Sequence, residues 1–245
     1  MRLARLAATS GIPPLFQSCS LDNFRPKEGQ EIALEEARTL VSEYPANDRG
    51  ILFYGSAGRG KTHLAAAIGS ALLEKWHGKD KFRVMFTDYG MLLDAIKDSF
   101  NGVRSEGEVL DPFMTAPVLI LDDLGARRRV SDWSHDMVTR LIDYRYAHLK
   151  NGLLIVTTNR GPEASAIGGT RAPMRPARTV RQGAEISMMG SRSSQPIESA
   201  VAVETAAITT RVESLEELFD ERFMSRLLAL CKPVAVGGTD HRRRS

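Results

Sequence analysis

One segment of the chain, residues 55–62, has the residue types and spacing that can hold the phosphates of a nucleotide. It reads GSAGRGKT and matches the pattern G-x-x-x-x-G-K-[ST]. Glycines let the backbone wrap so that N–H groups point at phosphate oxygens, and a following helix presents its positive end to the same anion. Lys61 can reach the β- and γ-phosphates, and the Thr62 hydroxyl can bind Mg²⁺. The segment predicts a site for a magnesium-bound nucleoside triphosphate but does not indicate the base.

Two adjacent acids follow a short apolar run and could hold the metal ion and act on water. The run VLIL at 118–121 precedes Asp122 and Asp123. A buried strand of a parallel sheet delivers its last residues to the crevice where ligands bind. Asp122 can then bind Mg²⁺ directly or through water, and Asp123 can orient or deprotonate an attacking water molecule. The alternative is a pair of solvated acids at the start of a turn.

A polar side chain, Asn159, ends a second apolar run in the sequence Thr157-Thr158-Asn159. If that run is a neighbouring strand, the amide lies beside the same crevice and could contact the γ-phosphate or the attacking water. Asparagine is also common where a loop begins. The residues alone leave both interpretations open.

Two arginines near the C-terminal end, Arg222 and Arg226, are spaced i, i+4 and share one face of a predicted helix. An arginine presented to a phosphoryl group in transfer stabilises its charge. The alternative is a solvated helix face on which the arginines pair with nearby acids, namely Glu217, Asp220 or Glu221.

The elements that must position these residues alternate along the chain. Apolar runs predict strands at 51–54, 82–87, 118–121, 153–157 and 233–236. Helical periodicity predicts helices at 31–44, 62–75, 91–100 and 132–150, and a further helical face over 215–230. Strands that alternate with helices imply an α/β fold with a parallel sheet covered on both faces.

Residues 161–212 break this pattern. The part from 161 to 210 contains no aromatic residue and no lysine, and Gly, Ser, Pro, Ala and Arg dominate it. We expect a disordered, low-complexity insertion, with a short helix possible near 197–208, because the segment lacks the apolar surface that offsets the entropy of ordering. The predicted organisation has four parts. Residues 1–45 form an N-terminal segment with a leading helix, and residues 46–160 form the first part of the core. Residues 161–212 are the insertion, and residues 213–245 form the second part of the core.

Composition narrows the class of protein. The net charge of +3 is compatible with nucleic-acid contact but does not require it, and the cluster Arg127, Arg128 and Arg129 could either touch phosphates or form a solvated loop. The two cysteines, Cys19 and Cys231, lie in no CxxC motif, which favours a reducing cytoplasm over a disulfide framework or a zinc site. No apolar run approaches the roughly 18 residues that a membrane span needs.

With these motifs in place, the chain resembles the AAA+ ATPases of the DnaC/DnaI helicase-loader group and the related IstB transposition helpers. The resemblance is carried by GIPPLFQSCSLDNF, GSAGRGKTHLAAAI, APVLILDDLGA, SDW, LIDYRY, TTN, ESLEELFDERFMSRL and GGTDHR. It implies a P-loop three-layer sandwich around a central parallel sheet of five strands. It also implies ATP and Mg²⁺ as ligands, and a slow hydrolysis of ATP to ADP and phosphate that DNA or a partner stimulates.

The resemblance also implies roles for single residues. Arg226 matches the arginine finger that reaches the ATP of a neighbouring subunit, with Arg222 one helical turn before it, and Arg242 matches the sensor 2 arginine. Lys61 and Thr62 match the Walker A motif, Asp122 and Asp123 the Walker B motif, and Asn159 the residue called sensor 1. The implied catalytic residues are Asp123, Asn159, Arg222 and Arg226; the implied metal ligands are Thr62 and Asp122; the implied nucleotide contacts are Gly55, Ser56, Ala57, Gly58, Arg59, Gly60, Lys61, Thr62, His63 and Arg242.

Several biological roles are compatible with the resemblance. One is an ATP-dependent loader that acts on a replicative helicase and binds single-stranded DNA without sequence specificity, as a homo-oligomer when ATP is bound. A second is an IstB-like helper of a transposase that binds duplex DNA. A third is a nucleotide-gated binding module with little hydrolysis. A small-molecule kinase is a fourth, but the paired aspartates, the TTN sequence and the paired arginines argue against it.

Overall fold

A parallel sheet of five strands forms the centre of the computed structural model. The structure describes residues 9–76, 79, 82–99, 105–126, 132–148, 152–162 and 213–238. Across the sheet the strands follow the order β2 (Val84–Asp88), β3 (Val118–Asp122), β4 (Leu153–Thr158), β1 (Gly50–Tyr54) and β5 (Cys231–Ala235). Each neighbouring pair is parallel, which confirms the predicted sheet.

The strands in the middle of the sheet are apolar because both of their faces are covered. Every residue of β3 and β4 is buried, and so are the first four residues of β1. A strand covered on both faces is expected to be a continuous apolar run. The edge strand β5 instead exposes Lys232 and Pro233, and proline suits an edge because it cannot donate to a ladder of hydrogen bonds.

Helices cover both faces of the sheet and complete three layers. On one face, α1 (Glu31–Glu43) and α2 (Lys61–Trp76) bury their apolar residues against alternate strand residues. The other face is covered by α3 (Tyr89–Ser99), α4 (Glu106–Thr115), α5 (Asp132–His148), α6 (Leu215–Leu218) and α7 (Glu221–Leu230). The apolar residues between the sheet and α1 and α2 form a first core, and those between the sheet and α3 to α7 form a second core. Side chains alternate across a strand, so Phe53 lies in the first core and Leu52 in the second. The predicted sandwich is confirmed.

The helix α4 is absent from the elements predicted from the sequence. It contains Pro112, a residue that usually interrupts a helix. Its start carries a capping box, in which the Ser105 hydroxyl accepts a hydrogen bond from the Glu108 backbone and the Glu108 side chain binds the Ser105 N–H. Leu110 and Met114 are its buried residues, and they join the second core.

The helical face predicted over residues 215–230 is not one helix. The backbone is extended at Phe219, which ends α6, and the side chain of Asp220 then caps α7 by accepting a hydrogen bond from the Phe223 N–H at 2.7 Å. The periodic apolar residues continue across the break because both helices pack on the same core. The expectation of helix throughout residues 215–230 was therefore wrong, although the apolar face does continue across the two helices.

The chain before α1 packs against the core. It contains a 3₁₀ turn at Pro14–Phe16, and its residues Ile12, Cys19 and Phe24 are buried in the first core with α1 and α2. The Phe86 N–H of β2 donates a hydrogen bond to the Ser10 carbonyl at 2.7 Å. This N-terminal segment thereby reaches from the edge of the sheet to the start of α1.

Residues 163–212, which hold nearly all of the predicted insertion and its short helix, lie outside the described residues. The chain on either side of them is joined by a hydrogen bond, in which the Leu215 N–H donates to the Gly161 carbonyl at 2.9 Å. Among the described helices, none is both long and apolar enough to cross a membrane.

Candidate nucleotide-binding site

The predicted site residues lie at the edge of the sheet where the parallel strands end. The loop 55–60 follows β1, Asp122 is the last residue of β3, and Asn159 follows β4. In the sheet β4 lies between β1 and β3, so the three strand ends are neighbours. Ligands bind at this edge in open parallel sheets. The fold therefore brings together the residues predicted to bind phosphate and metal.

The loop requires glycine at several positions. Gly55, Gly58 and Gly60 have φ angles of 139°, 76° and 86°, in the range that side-chain-bearing residues rarely adopt. A Cβ atom on Gly55 would lie 2.6 Å from the Val236 carbonyl oxygen, and one on Gly60 would lie 2.7 Å from the Phe24 ring. The loop is thus shaped by glycine for close approach on both sides, as a phosphate-binding loop needs.

The ammonium group of Lys61 links the loop to the end of β4. Lys61 is 5% exposed, and its Nζ donates hydrogen bonds to the Gly55 carbonyl at 2.8 Å, the Ser56 carbonyl at 2.9 Å and Asn159 Oδ1 at 2.8 Å. The cation therefore lies inside the loop and next to the predicted sensor residue. A buried ammonium held by neutral oxygens is well placed to bind an anion that enters the loop.

Asp122 contacts two hydroxyl groups from different elements. Thr62 Oγ1 lies 3.0 Å from Asp122 Oδ1 and 3.2 Å from Oδ2, and the Thr157 hydroxyl donates to Oδ1. Burial raises the pKa of Asp122 to about 6, and the neighbouring Asp123 adds to the effect, while the hydrogen bonds from Thr157 and Thr62 lower the pKa. The carboxylate and the Thr62 hydroxyl are hard oxygen donors side by side, which fits Mg²⁺.

Asp123 has an unusual backbone conformation. Its φ angle is 53°, the left-handed region that favours glycine, and its N–H donates to Thr157 Oγ1 at 2.9 Å. Asn159 Nδ2 lies 3.5 Å from Asp123 Oδ1. The two residues predicted to act on water are therefore adjacent. A strained residue held in place by its surroundings is a common feature of functional sites.

A cavity of about 490 Å³ lies between the phosphate loop and the N-terminal segment. The loop side includes Lys61, Thr62, Asp123 and Asn159, and the other wall is formed by Leu15, Phe16, Asn23, Phe24 and Arg25. The N-terminal wall offers apolar and aromatic surface of the kind that a nucleoside base requires.

His63 faces the N-terminal segment. Its Nε2 lies 3.3 Å from the Ser20 carbonyl and 3.1 Å from Asn23 Oδ1, and its ring meets Phe24 edge to face at 5.1 Å. Burial lowers the pKa of His63. The predicted role of His63 in nucleotide binding stays a prediction; its contacts are with the N-terminal segment that lines the cavity.

Sequence reasoning missed several groups that shape the site. Thr157 contacts both aspartates, and Gln30 is fully buried and donates to the Arg59 carbonyl at 3.2 Å and the Gly237 carbonyl at 3.1 Å. Gln30 thereby ties the phosphate loop to the loop after β5. A hint for Thr157 existed in the polar run at 157–159, but nothing in the sequence pointed to Gln30.

The predicted arginine pair contacts an acid of its own chain. Arg222 Nη2 lies 3.0 Å from Asp143 Oδ2, and Arg226 Nη1 forms a salt bridge with Asp143 Oδ1. Asp143 lies on α5 and was not among the acids proposed as partners. Arg222 is 66% exposed and Arg226 25% exposed. The structure thus places both guanidinium groups between α5 and α7. Arg242 and the cluster at 127–129 lie outside the described residues.

Three comparisons with known proteins agree with this geometry. A family model described as "IstB-like ATP binding protein" matches residues 21–164. The replicative helicase loader DnaC of Escherichia coli (strain K12) is 32% identical over 170 residues, which are 69% of this chain and 67% of the relative.

Solved structures give the same picture. The crystal structure of the DnaC helicase loader matches with a TM-score of 0.61 and 25% identity, over 92% of this chain and all of that one. The crystal structure of DnaI matches with a TM-score of 0.58 and 23% identity, over 94% of both chains, and shows the shared fold.

Proposed function

The chain belongs to the IstB-like ATP-binding family, within the AAA+ group of the DnaC and DnaI helicase loaders, and on that premise we propose that it binds Mg·ATP and hydrolyses it slowly. The observation that carries the proposal is the convergence of Lys61, Asn159 and the Thr62–Asp122 pair on one phosphate loop. We expect DNA or a protein partner to stimulate the reaction.

Binding depends on the loop and on Lys61. The backbone amides of residues 55–62 and the N-terminal end of α2 face the phosphates, and the Lys61 ammonium exchanges its contacts with the loop carbonyls for the β- and γ-phosphate oxygens. The apolar wall of Leu15, Phe16 and Phe24 receives the nucleoside. This division assigns the triphosphate to α2 and its loop, and the base to the N-terminal segment.

The chemistry depends on the strand ends. Thr62 and Asp122 would hold Mg²⁺, and the bound ion would neutralise charge that develops on the phosphates. Asp123 orients and deprotonates the attacking water, and the Asn159 amide, 3.5 Å from that carboxylate, positions the same water. The left-handed backbone of Asp123 sets the direction of its carboxylate, and the Asp123 N–H is held by its hydrogen bond to the Thr157 hydroxyl.

For the biological role, we propose a cytoplasmic DNA-replication protein that acts on a replicative helicase and on single-stranded DNA. Its support is the similarity to the replicative helicase loader DnaC over more than two thirds of this chain. An IstB-like helper of a transposase is the second candidate, which the family match over residues 21–164 favours. Residues 46–160 and 213–245 form the ATPase core in this proposal, with 161–212 as an insertion.

A nucleotide-gated binding module with little hydrolysis is the third candidate. It is supported by the pairing of Arg222 and Arg226 with Asp143, because neither arginine is available to the ATP of a neighbour while this pairing persists. In the hydrolysing alternative, an ATP-bound homo-oligomer draws Arg226 away from Asp143.

The binding proposal is tested by calorimetry with Mg·ATP. We expect the wild-type protein to bind ATP and Lys61→Ala to show no measurable binding, because the loop then lacks its buried cation. Lys75→Ala, which removes an exposed lysine from the same helix, is the matched control and should bind ATP as the wild type does. Folded protein that takes up no Mg·ATP would overturn the proposal.

The role is tested separately. Steady-state ATP hydrolysis with and without single-stranded or duplex DNA distinguishes an ATPase from a binding module. Capture of the host's replicative helicase, compared with capture of a transposase encoded nearby, distinguishes the first two candidates.

A further inference from the structure

Arg160 lies beside the site, and neither the motifs nor the family resemblance assigns it a role. It follows Asn159 directly, and its side chain is 14% exposed. Its Nε donates to the Gly125 carbonyl at 3.0 Å, and its Nη1 donates to the Glu213 carbonyl at 3.0 Å and lies 3.4 Å from Glu213 Oε2. One guanidinium group therefore joins the loop after β3 to the chain that resumes at residue 213.

The contact with Gly125 is the last of a series along the β3 loop. The Thr157 hydroxyl accepts from the Asp123 N–H, the Leu124 N–H donates to the Thr157 carbonyl at 2.8 Å, and the Thr158 hydroxyl donates to the Leu124 carbonyl at 2.8 Å. Arg160 extends this series by one residue. The end of β4 thus holds three successive residues of the loop, 123 to 125.

This loop needs such support because one of its two left-handed residues, Asp123, is not a glycine. Asp123 has a φ angle of 53° and Gly125 one of 74°. The left-handed conformation costs a residue other than glycine about 1–2 kcal/mol, so it persists only where neighbouring groups hold it. The orientation of the Asp123 carboxylate therefore depends on the contacts that fix the loop on both sides of it.

We propose that Arg160 is a positioning residue that fixes the loop carrying Asp123 for hydrolysis and anchors this loop to Glu213. The inference rests on the proposed function, since Asp123 is there assigned to the attacking water. Arg160 contacts neither the phosphate loop nor the Thr62–Asp122 pair in the contacts described above. Its loss should therefore slow the chemical step and leave ATP affinity in place.

The test compares Arg160→Gln and Arg160→Lys with the wild type by two measurements. For Arg160→Gln we expect kcat to fall roughly 10- to 100-fold, because small displacements of catalytic groups have effects of this size, while the Kd for ATP changes less than about threefold. Amide hydrogen exchange of Leu124 and Ala126 in the nucleotide-free protein should be faster by about tenfold. Arg160→Lys, which keeps the charge and has one nitrogen donor atom in place of three, should give values between those of Arg160→Gln and the wild type.

Glu213→Gln is the matched control. It removes only the charge of the side chain and keeps the carbonyl that Arg160 also binds, so both readouts should stay close to wild type. The proposal is overturned if both Arg160 variants keep wild-type kcat and exchange, or if ATP affinity falls as much as kcat.

The exchange measurement also separates this proposal from the proposed function. If the wild type hydrolyses no ATP, the assigned activity fails, while unchanged exchange in the Arg160 variants would refute the anchoring of the loop on its own. Faster exchange confined to residues 122–126 would support the anchoring even then.

Discussion

Among single residues, Asp122 combines burial with a proposed role as a metal ligand, which needs its charge. It is 7% exposed, and burial raises the pKa of its carboxyl from the usual 3.8 to about 6. A proton is then bound more tightly in the folded protein than in the unfolded chain. The contribution of this group to stability is fully present below about pH 3.8 and is lost as the pH rises through 6. The metal-free protein is therefore destabilised near neutral pH by the ionised carboxylate.

Replacing Asp122 with asparagine should stabilise the metal-free protein at pH 7.5. The amide has no charge to bury, and its oxygen can still accept from Thr62 and Thr157. The expected gain in the free energy of unfolding is about 1–3 kcal/mol, the upper value corresponding to the full difference in pKa. It should shrink toward zero near pH 4. Urea denaturation in EDTA at the two pH values measures it.

Asp98→Asn, at an exposed position of α3, serves as the control and should show no such dependence on pH. Equal or lower stability of Asp122→Asn at pH 7.5 would contradict the explanation. With Mg·ATP present the order should reverse, because the carboxylate binds the metal ion more strongly than the neutral amide does.

Replacement of His63 tests whether the nucleoside and the triphosphate bind to different parts of the site. Since its imidazole contacts Ser20, Asn23 and Phe24, His63→Ala should loosen the wall of the cavity that we propose for the nucleoside. We expect ATP affinity to fall about 3- to 10-fold and tripolyphosphate affinity to stay unchanged, in competition assays. His148→Ala, at the end of α5, is the control. Equal losses for both ligands would mean that His63 acts on the phosphate loop.

At the scale of residues, the sequence indicated the groups at the centre of the site better than the groups that support them. Lys61 and Asp122 lie in motifs whose spacing is fixed along the chain, so the order of residue types is enough to locate them. Thr157 and Gln30 act through contacts between distant segments, which depend on side-chain packing. Their roles became visible only in the folded chain.

At the scale of secondary structure, Arg145 connects three elements on one face of the sheet. It is 1% exposed, and its guanidinium donates to the carbonyls of Phe113, Met114, Ala116 and Leu153 at 2.8–3.3 Å. Burial lowers the pKa of Arg145 to about 10. These carbonyls belong to the end of α4, the residue after it and the start of β4. A single side chain of α5 thus donates hydrogen bonds to backbone carbonyls at the end of α4, where helix carbonyls have no partner within the helix.

Arg145→Met should destabilise the protein by about 2–5 kcal/mol, because three buried carbonyls and the half-buried carbonyl of Phe113 lose their donor. Arg140→Gln is the matched control on the same helix, since it removes an exposed salt bridge to Glu106 and should cost no more than about 1 kcal/mol. Chemical denaturation of both variants measures the difference. Similar losses for the two would show that the carbonyl contacts of Arg145 contribute little.

The five strands were predicted within two residues or so of their ends, because covered strands are continuous apolar runs. The prediction failed where local signals conflicted. Gly107 and Pro112 concealed α4, although Ser105 and Glu108 carried the signature of a helix start. The break at Phe219 was concealed for the opposite reason, since the apolar periodicity continues across it.

For the whole molecule, the pairing of Arg226 with Asp143 bears on assembly. If Arg226 acts on the ATP of a neighbouring subunit, Arg226→Ala should keep ATP affinity within about twofold and lower DNA-stimulated hydrolysis by roughly a hundredfold or more. Calorimetry and steady-state kinetics measure the two quantities. Normal hydrolysis in Arg226→Ala would contradict action in trans.

Asp143→Asn separates a structural role from action on a neighbour. If Arg226 acts on a neighbouring subunit, Asp143→Asn should leave stimulated hydrolysis unchanged or raise it. If the pair is only structural, Arg226→Ala should lower the stability of the protein and leave stimulated hydrolysis unchanged. Arg222→Ala, which removes the more exposed arginine, shows how far the effect belongs to Arg226.

The hydrogen bond between Leu215 and Gly161 joins two residues of the core that lie on either side of residues 163–212. The two residues are fastened to each other and, through Arg160 and Glu213, to the β3 loop. Closing a flexible connection of twice the length costs only about 0.6 kcal/mol more. We therefore expect that the stretch between these two points can be lengthened, shortened or exchanged while the five-stranded core is retained.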